Sequence, residues 1–449
     1  MQNSDNSPRD RSVTRRDFIR TSAAVTLAAA ATGPVSIFAA RGDELRVGLV
    51  GCGGRGTGAV TQALMATKTP VRLWAMGDLF RDMLDSSYKM LSTGAEGRYD
   101  RVEFPSLSKQ MEVPEKRKFV GFDAYKKVIN SGIDIVILAT TPHYRPEHFE
   151  YAIRKGKHVF MEKPVAVDPV GIRRIIAAAE ESKKKKLTVI AGTQRRHQNH
   201  YLEIIRRVHK GDIGEIVGGQ CYWNSGAMLD WGPRNKPEWT EMERQNRRWY
   251  FYTWLCGDHI AEQHVHNLDV MLWAMGEPPV KVMGMGGRQF RTGKDYGNIW
   301  DHFAVEYEFA NGARFLGMCR HNDGASHRNS ERLVGVKGTT YTDESNGLMQ
   351  GENAYKYDGP ALNPYVQEWA DLINSVRDGK GLNEGRQVAE STLTAIMGRM
   401  SAYTGRELSW DWALKASELD LSPPKYDLRL DADSLPMRPV AVPGKTKLI

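Results

Sequence analysis

A chain of 449 residues with 41% hydrophobic and 26% charged residues has the composition of an ordinary globular protein with a sizeable core. These values exclude collagen-like, coiled-coil, disordered and polytopic membrane proteins, and four scattered cysteines exclude a disulfide scaffold or a CxxC zinc site. The net charge of +8 does not indicate nucleic-acid binding. Part of it belongs to six arginines within residues 1–41, and the basic run at 183–186 ends a predicted helix, where a solvated surface is the ordinary interpretation.

Residues 14–20 contain a pair of arginines followed closely by a phenylalanine, ahead of an alanine-rich apolar stretch at 23–31. This arrangement resembles a twin-arginine export signal. The stretch is shorter than the roughly 20 residues of a membrane-spanning helix, and a basic amphipathic arm is the alternative. We therefore expect residues 1–40 to direct the folded protein to the twin-arginine export machinery, together with any cofactor acquired in the cytoplasm. Cleavage near residue 40 would give a periplasmic protein without a stable membrane span, whereas an uncleaved signal would tether it to the membrane.

A glycine-rich loop lies between a predicted strand at 45–50 and a predicted helix at 57–67. Its GxGxxG spacing is typical of a dinucleotide-binding turn. Gly51 allows the tight turn, Gly53 lets the backbone approach a diphosphate, and Gly56 lets helix and strand pack closely. A glycine turn without a ligand is the alternative, which the strand–loop–helix context disfavours. The residues predicted to contact the diphosphate are Gly51, Gly53, Gly54, Arg55 and Gly56.

The second predicted strand, at 71–76, is followed by Asp78. An acid at this distance from the glycine loop commonly bonds the adenosine ribose hydroxyls and repels a 2′-phosphate. Asp78 therefore favours NAD over NADP, although the nearby Arg81 weakens the preference.

Strands alternate with helices along residues 45–192, which predicts an α/β fold with a parallel, doubly wound sheet. Residues 84–118, with glycine, proline and mixed charge, interrupt the alternation and are expected to form a surface insertion. The further predicted helices lie at 124–130, 146–155 and 169–185, and the further predicted strands lie at 133–139, 158–161 and 187–191.

Several short motifs follow the glycine loop. They are Ala-Thr-Thr-Pro at 139–142, Gly-Lys-His-Val at 156–159, Glu-Lys-Pro at 162–164, Gly-Thr-Gln-Arg-Arg at 192–196 and His-Asn-Leu-Asp at 266–269. Together they resemble the Gfo/Idh/MocA family of nicotinamide-dependent oxidoreductases, which is named for glucose-fructose oxidoreductase and inositol dehydrogenase. The resemblance extends from residue 45 to about residue 410.

This resemblance implies an NAD-binding Rossmann domain at 41–193 and an α+β domain at 194–420. The second domain would use an open, mainly antiparallel sheet to bind substrate and to form a homo-oligomer, a dimer or a tetramer. The sequence agrees with strand patterns at 217–223, 280–287, 303–309 and 314–319 and helix patterns at 364–378 and 386–404. Residues 421–449 are expected to form an extended tail. The resemblance also implies that the cofactor site includes Thr140, Thr141, Pro142, His143, His148, Glu162, Lys163 and Arg195.

The last of these motifs lies on a predicted helix at 259–275. Glu262, His266 and Asp269 share one face of that helix at i, i+4 and i+7. In the family this helix contributes an acid, a histidine and a second acid to the substrate pocket, beside the lysine of Glu-Lys-Pro, here Lys163. The first acid is usually aspartate, so Glu262 departs from the family pattern.

These residue types suit the oxidation of a secondary alcohol, in which a hydride leaves the carbon and a proton leaves the hydroxyl. We expect His266 to accept the proton and Lys163 to stabilise the developing alkoxide. Asp269 is expected to accept a hydrogen bond from a substrate hydroxyl, and Glu262 to orient the reacting groups. A histidine satisfied within the core is one alternative. A divalent metal held by these helix residues and His259 is another, but ligands from one helix seldom complete a coordination shell, so no metal is expected.

Residues 222–254 are unusually aromatic and are interleaved with asparagines and arginines. Aromatic faces flanked by hydrogen-bonding groups suit pyranose rings, whose faces are apolar and whose edges are polar. A core or oligomer contact is the alternative, and single-stranded nucleic acid is disfavoured by the export signal. The residues are Tyr222, Trp223, Trp231, Trp239, Trp249, Tyr250, Phe251, Tyr252 and Trp254, with Asn224, Arg234, Asn235, Arg247 and Arg248.

These features predict an exported NAD-dependent oxidoreductase that transfers hydride between a ring hydroxyl of a sugar or glycoside and a tightly held cofactor. A redox-neutral glycosidase, as also known in this superfamily, is the first alternative. In that reaction transient oxidation acidifies a ring C–H, the aglycone leaves by elimination, and the cofactor is restored. A non-catalytic sugar-binding protein is the second alternative, which the presence of Lys163 and His266 disfavours.

Overall fold

The computed structural model describes residues 44–68, 70–99, 102–226, 236–436 and 438–449. The predicted export signal at 1–40 lies outside the described residues. Residues 45–449 form one compact unit. In the described ranges, no helix combines the length and the apolar character needed to cross a membrane.

The first sheet has six parallel strands in the order β5-β2-β1-β6-β7-β8. The chain runs outward from β1 to β5 and returns to β6 on the other side of β1. Ligands bind outside the carboxyl ends of the strands at such a reversal, so the fold places a crevice between β1 and β6. The strands are β1 (Leu45–Val50), β2 (Val71–Asp78), β3 (Ala95–Tyr99), β4 (Val102–Phe104), β5 (Lys118–Val120), β6 (Ile135–Leu138), β7 (His158–Met161) and β8 (Val189–Ala191), of which β3 and β4 form a separate hairpin.

Helices connect these strands and cover the sheet. They are α1 (Gly54–Met65), α2 (Arg81–Thr93), α3 (Ala124–Ile129), α4 (Arg145–Arg154) and α5 (Pro169–Lys184). The prediction of a surface insertion at 84–118 was wrong in part, because α2, which reaches into this segment, is a regular amphipathic helix. It buries Leu84, Ser87 and Leu91, and its remaining positions are mostly exposed polar side chains that hide the apolar pattern. The strand β5 within the same segment forms the edge of the sheet.

The second sheet has nine strands in the order β16-β15-β14-β13-β9-β12-β11-β10-β17. It is antiparallel apart from the central pair β9 and β12, which run parallel. The predicted fold class, a Rossmann sheet followed by a mainly antiparallel sheet, is therefore confirmed. The strands are β9 (Ile216–Ser225), β10 (Lys281–Gly287), β11 (His302–Glu308), β12 (Arg314–His321), β13 (Arg328–Gly335), β14 (Gly338–Asp343), β15 (Gly347–Gly351), β16 (Tyr355–Lys356) and β17 (Leu408–Ser409). The helices of this part are α6 (Asn199–Lys210), α7 (Glu241–Arg247), α8 (Thr253–Cys256), α9 (Val265–Met275), α10 (Pro364–Asp378), α11 (Gly385–Thr404) and α12 (Trp410–Lys415).

One long buried helix, α11, joins the two sheets. Its Arg399 donates to the carbonyl of Val167 at 2.7 Å, in the part that follows β7. On the other side, Ser401 Oγ accepts from the amide of Gly284 on β10 at 2.8 Å. A Cβ on Gly284 would lie 2.9 Å from the carbonyl oxygen of Gly398, so glycine is needed here for the helix to lie directly on the strand. The contact fixes the two sheets about the crevice.

The C-terminal residues run along the molecule with little regular structure. The amide of Leu421 donates to Asp168 at 2.9 Å, and Tyr426 lies 2.9 Å from the ring of His143. The amide of Met242, on α7, donates to the carbonyl of Leu430 at 3.2 Å. This tail therefore contacts both halves of the molecule.

Candidate active site

A cavity of about 440 Å³ lies at the carboxyl ends of the parallel strands and is walled on its far side by the second half of the chain. Both halves therefore supply its surface. The lining residues are Gly51, Gly53, Gly54, Arg55, Gly56, Asp78, Leu79, Phe80, Met83, Ala139, Thr140, Thr141, Pro142, Tyr144, Arg145, Glu162, Lys163, Gly192, Gln194, Trp223, Asn246, Arg247, Trp249, Glu262, Gln263, His266 and Tyr365.

The glycine loop forms one wall of this cavity, and each of its three motif glycines has a distinct geometry. Gly51 has a φ of +98° and its missing Cβ would lie 2.5 Å from the backbone of Ala139. A Cβ on Gly56 would lie 1.9 Å from the carbonyl oxygen of Gly51, which forces close packing of α1 on the loop. A Cβ on Gly53 would meet nothing, so the space beside it is open. The amides at the start of α1 thus face an open cradle, which suits a diphosphate.

Asp78 lies at the carboxyl end of β2 and lines the same cavity. Its carboxylate accepts hydrogen bonds from the amides of Cys52 at 2.6 Å and Phe80 at 2.8 Å. Burial raises the pKa of Asp78 to about 6. Arg81 forms ion pairs with Asp85 and Glu115 and is not part of the lining, so the cation that weakened the preference for NAD is engaged elsewhere.

Arg55 connects the glycine loop to the Glu-Lys-Pro motif. Its Nε donates to Glu162 Oε1 at 2.5 Å, and its Nη2 donates to Gln62 at 2.7 Å. The same nitrogen lies 3.7 Å from the buried carboxylate of Glu368. The guanidinium therefore fixes the position of Glu162, directly before Lys163.

Six of the other predicted cofactor residues divide into two groups. Thr140, Thr141 and Pro142 line the cavity, and the buried hydroxyl of Thr141 has no hydrogen-bond partner among the described residues. The side chains of the remaining three, His143, His148 and Arg195, are not part of the lining.

A correction therefore applies to these three predicted contacts. His143 bonds Tyr426 of the tail, and burial lowers its pKa to about 3. His148 lies 3.3 Å from the hydroxyl of Thr140 and stacks on Tyr125. Arg195 is paired with Glu331 and donates to Asn329 at 2.8 Å. Each packs behind the wall, where contacts with other side chains of the protein hold it.

At the far end of the cavity, Lys163 meets the residues of the predicted catalytic helix. Its Nζ donates to the carbonyl oxygen of Glu262 at 2.6 Å and lies 3.5 Å from Glu262 Oε1. The other carboxylate oxygen of Glu262 is buried and has no partner among the described residues. Burial raises the pKa of Glu262 to about 7 although Lys163 and Arg145 act against the shift. Glu262 can therefore gain or lose a proton near neutral pH.

His266 lines the cavity beside this pair. Its ring lies 5.9 Å from that of Trp223, nearly parallel to it, and its Nδ1 has no hydrogen-bond partner in the described part of the chain. Burial, with Lys163 and Arg195 nearby, holds the pKa of His266 well below its usual value. The imidazole is therefore neutral at neutral pH and able to accept a proton.

The helix that carries these residues is not regular. Residues Ile260–His264 form a wider π-helical turn, which continues into α9. Such turns are frequent at functional sites because they change which side chains share a face. Here Glu262 and its neighbour Gln263 both reach the cavity together with His266.

Asp269 lies elsewhere, and its predicted contact with substrate requires a correction. Its side chain is buried and is not part of the lining. Arg196 donates to both of its oxygens, at 2.8 and 3.0 Å, and Ser391 donates at 2.6 Å. With three hydrogen bonds already made, this carboxylate stabilises the junction of α9 and α11 rather than accepting from a substrate hydroxyl.

The aromatic segment divides between site and core. Trp223 and Trp249 line the cavity, which agrees with a sugar platform. Tyr250, Phe251, Tyr252 and Trp254 are almost fully buried, which agrees with the alternative of a core. Trp231, Arg234 and Asn235 lie outside the described residues.

Several polar residues of the lining were not predicted to belong to the site. Arg145 follows the Thr-Thr-Pro motif and Gln194 lies within Gly-Thr-Gln-Arg-Arg, so their motifs could have indicated them. Gln263 accepts a hydrogen bond from the buried Tyr250 at 2.7 Å, a contact that no local pattern shows. Among the described residues, no group of three or more His, Cys, Asp or Glu side chains is arranged to hold a metal ion.

The two halves of the chain match two known domain families. Residues 45–191 match the Gfo/Idh/MocA oxidoreductase family, NAD-binding Rossmann fold, and residues 201–341 match the Gfo/Idh/MocA C-terminal domain. The chain therefore belongs to the Gfo/Idh/MocA oxidoreductase family. This confirms the predicted family, an oxidoreductase class of enzyme, and NAD as its cofactor.

The curated relatives align with only part of this chain. It is 29% identical over 183 residues to 2,7-anhydro-N-acetylneuraminate hydratase of Escherichia coli (40% of this chain, 44% of that protein). It is 31% identical over 172 residues to inositol 2-dehydrogenase of Pseudomonas fluorescens (38% and 44%). The chain thus spans about half the length of the curated relatives it matches. The aldose-aldose oxidoreductase of Caulobacter crescentus, solved with glycerol, shares its fold with a TM-score of 0.62 at 19% identity, over 82% of this chain and 99% of that one.

Proposed function

We propose that this protein is an NAD-dependent oxidoreductase that oxidises or reduces a ring carbon of a sugar or glycoside. One observation carries the proposal: Lys163, Glu262 and His266 meet in the same cavity whose opposite wall is the glycine loop. A dinucleotide held by that loop has its reactive ring at the other end of its length. The acid–base groups therefore lie where a hydroxyl would react.

In this reaction the protein handles the proton of the hydroxyl. NAD, when bound, supplies the acceptor for the hydride. The neutral imidazole of His266 accepts the hydroxyl proton, and the ammonium of Lys163 stabilises the negative charge that develops on the oxygen. Glu262 holds that ammonium through its carbonyl oxygen and carboxylate. The reverse reaction uses the same groups, with His266 donating the proton.

The aromatic side chains of the lining support a sugar as the substrate. Trp223 stacks beside His266, and Trp249 lies in the same cavity. A pyranose ring can place its apolar face on an indole and its hydroxyl edge toward Lys163 and His266. The names of the relatives, an inositol dehydrogenase and an anhydro-sugar hydratase, agree with a polyhydroxylated ring.

A redox-neutral glycosidase is the second candidate, and Glu262 favours it. Elimination from an oxidised sugar requires a base for a ring C–H in addition to the group that takes the hydroxyl proton. Glu262 has an unpartnered oxygen and a pKa raised to about 7, so it can serve as that base beside His266. One relative is named a hydratase, and a hydration involves no net oxidation or reduction.

The proposal includes an exported protein that keeps its NAD bound. The arginine pair at 15–16 supports export in the folded state, and NAD is scarce outside the cytoplasm. The cofactor is then recycled by a second substrate rather than released. We also propose a homo-oligomer, because exposed apolar side chains lie on one face of the second sheet.

The direct test purifies the protein without added cofactor and assays the denatured extract for nicotinamide dinucleotide. The protein is then incubated with a panel of methyl and aryl glycosides, and products are analysed by mass spectrometry, with His266→Ala as the inactive control. A keto-sugar supports the oxidoreductase, and a cleaved glycoside without net NADH supports the glycosidase. Full activity of the His266→Ala protein, or no affinity for NAD, would contradict both and favour a binding protein.

A further inference from the structure

A helix from the second half of the chain closes one end of the NAD cavity. Residues Asn246 and Arg247, at the end of α7, line the cavity together with Phe80 and Met83 of the first half. This is the end that contains Asp78, the acid expected to bond the adenosine ribose. The predicted cofactor residues lie almost entirely in the Rossmann part, so α7 is an addition to the site.

The side chain of Arg247 bridges the two halves at this point. Its Nη1 lies 2.9 Å from Asp82 Oδ2 and its Nη2 lies 3.4 Å from Asp82 Oδ1. Its Cζ lies 3.9 Å from the ring centre of Phe80, and its Nε donates to Glu243 at 2.8 Å. The side chain of Arg247 is only 12% exposed. A planar cation that pairs with a carboxylate and stacks on an aromatic ring is held more firmly than a simple surface ion pair.

The helix itself is tied down on its other sides. Tyr144 donates to Asn246 at 2.7 Å, which attaches the end of α7 to the Thr-Thr-Pro loop. The amide of Met242 donates to the carbonyl of Leu430, and the hydroxyl of Thr240 donates to the carbonyl of Leu428. The C-terminal tail therefore also holds α7 in place. We call α7, anchored to the Thr-Thr-Pro loop and to the tail, the strap, and these contacts resist its movement away from the cavity.

We propose that Arg247 is a cofactor-retaining residue: its contacts with Asp82 and Phe80 close the adenosine end of the NAD site and slow the release of the dinucleotide. The inference rests on the proposed function only for the identity of the cofactor. It gives a structural cause for an NAD that stays bound through many turnovers, and it assigns that cause to the second half of the chain. The effect falls on the rate of dissociation, since the strap must open before the ligand leaves.

The test measures the release of NADH from the full chain. The loaded protein is mixed with excess NAD+, and the loss of bound NADH fluorescence gives the dissociation rate. Arg247→Ala removes both the ion pair and the stacking contact, and Asp82→Asn removes the ion pair at an exposed residue outside the lining. Arg81→Ala is the matched control, because Arg81 also pairs with two carboxylates nearby but does not line the cavity.

We expect Arg247→Ala to release NADH on the order of tenfold faster, a change of about 1.4 kcal/mol in the barrier, and Asp82→Asn to show a smaller increase. The thermal midpoint of the unloaded proteins should stay close to that of the wild type, which separates release from unfolding. Release at the wild-type rate by Arg247→Ala, or an equal acceleration by Arg81→Ala, would overturn the proposal while leaving the proposed function intact. Failure of the wild type to bind NADH would overturn both.

Discussion

Three ionisable side chains lie at the reacting end of the cavity, and they differ in protonation and in hydrogen bonding. His266 is neutral because burial and the neighbouring cations oppose protonation of its ring. Lys163 is held by the carbonyl oxygen and the carboxylate of Glu262. Burial raises the pKa of Glu262 to about 7. A neutral base beside a fixed cation is the arrangement that alcohol oxidation requires.

The first prediction concerns His266. Replacing it with alanine removes the proton acceptor, and kcat should fall about 10²- to 10⁴-fold. NADH affinity should change little, because the glycine loop and Asp78 are untouched. Steady-state kinetics and a fluorescence titration measure the two effects. His209→Ala, at an exposed histidine outside the cavity lining, is the control. A kcat that falls equally in both variants would contradict the assignment.

The second prediction concerns pH. The pKa of Glu262 is raised to about 7, so the carboxylate that pairs with Lys163 forms as the pH rises through that value. The kcat/KM for alcohol oxidation should therefore increase across about pH 6 to 8. Glu262→Gln cannot ionise and should lose this increase. A pH profile of both proteins measures it, and an unchanged rise in the variant would show that another group titrates.

The same group gives an independent check on stability. The folded-state pKa of Glu262 lies above its ordinary value of 4.5, so the folded protein holds this proton more tightly than the unfolded chain. Stability from this group is present below about pH 4.5 and is lost as the pH rises through about 7. Glu262→Gln should therefore gain stability relative to the wild type over that interval. Denaturant unfolding at several pH values measures the difference, and a constant difference would contradict the buried, raised carboxyl.

Local motifs explain how much of the site the sequence could reveal. Gly53, Asp78, Lys163 and His266 follow short patterns whose geometry a strand or helix end dictates, and all four line the cavity. Arg247 could not be assigned to the cofactor in this way, because its position depends on a contact between distant parts of the chain.

At the scale of elements, the glycine loop and α1 allow a prediction that separates binding from folding. Gly53→Ala adds a methyl group into open space, so the thermal midpoint should remain near that of the wild type while NADH affinity falls about tenfold or more. Gly56→Ala places a methyl group against the carbonyl of Gly51 and should cost about 1–3 kcal/mol of stability.

Thermal unfolding and NADH titration of the two variants provide the measurement. Wild-type NADH affinity in Gly53→Ala would contradict a diphosphate at this loop. Unchanged stability in Gly56→Ala would contradict the close packing of α1.

Two elements show where periodicity alone is insufficient. The helix α2 was missed because its apolar positions are few, although Leu84 and Leu91 are buried. The regular helix predicted at 259–275 contains the π-turn Ile260–His264. A wider turn changes the angular offset between residues before and after it, so spacing could not show that Gln263 faces the cavity and Asp269 does not.

At the scale of the whole molecule, the site exists only where the two sheets meet. The helix α11 hydrogen-bonds to both halves, and the tail contacts both as well. The parallel sheet could be predicted because strand patterns alternate with helix patterns along the chain. The second sheet was predicted from the family resemblance. The parallel pairing of β9 with β12 could not be predicted, because it joins strands that are separated along the chain by two other strands and several helices.

One face of the second sheet predicts association. Met283, Met285 and Leu316 are exposed, and their strand registers place them on the same face. We expect light scattering to give a molecular mass that is a multiple of the monomer mass. Met285→Arg should lower this mass toward that of the monomer, because a charge would be buried at the contact. Val442→Arg, at an exposed valine of the tail, should leave the mass unchanged. A monomeric wild type would contradict this expectation.

The most direct test of the account is a crystal structure of the protein with bound NAD+. We predict the diphosphate against the amides of residues 54–56 and the nicotinamide ring within contact of Lys163 and His266. A dinucleotide bound elsewhere, or one whose nicotinamide points away from Lys163, would contradict the central claim that one cavity holds both the cofactor and the acid–base groups.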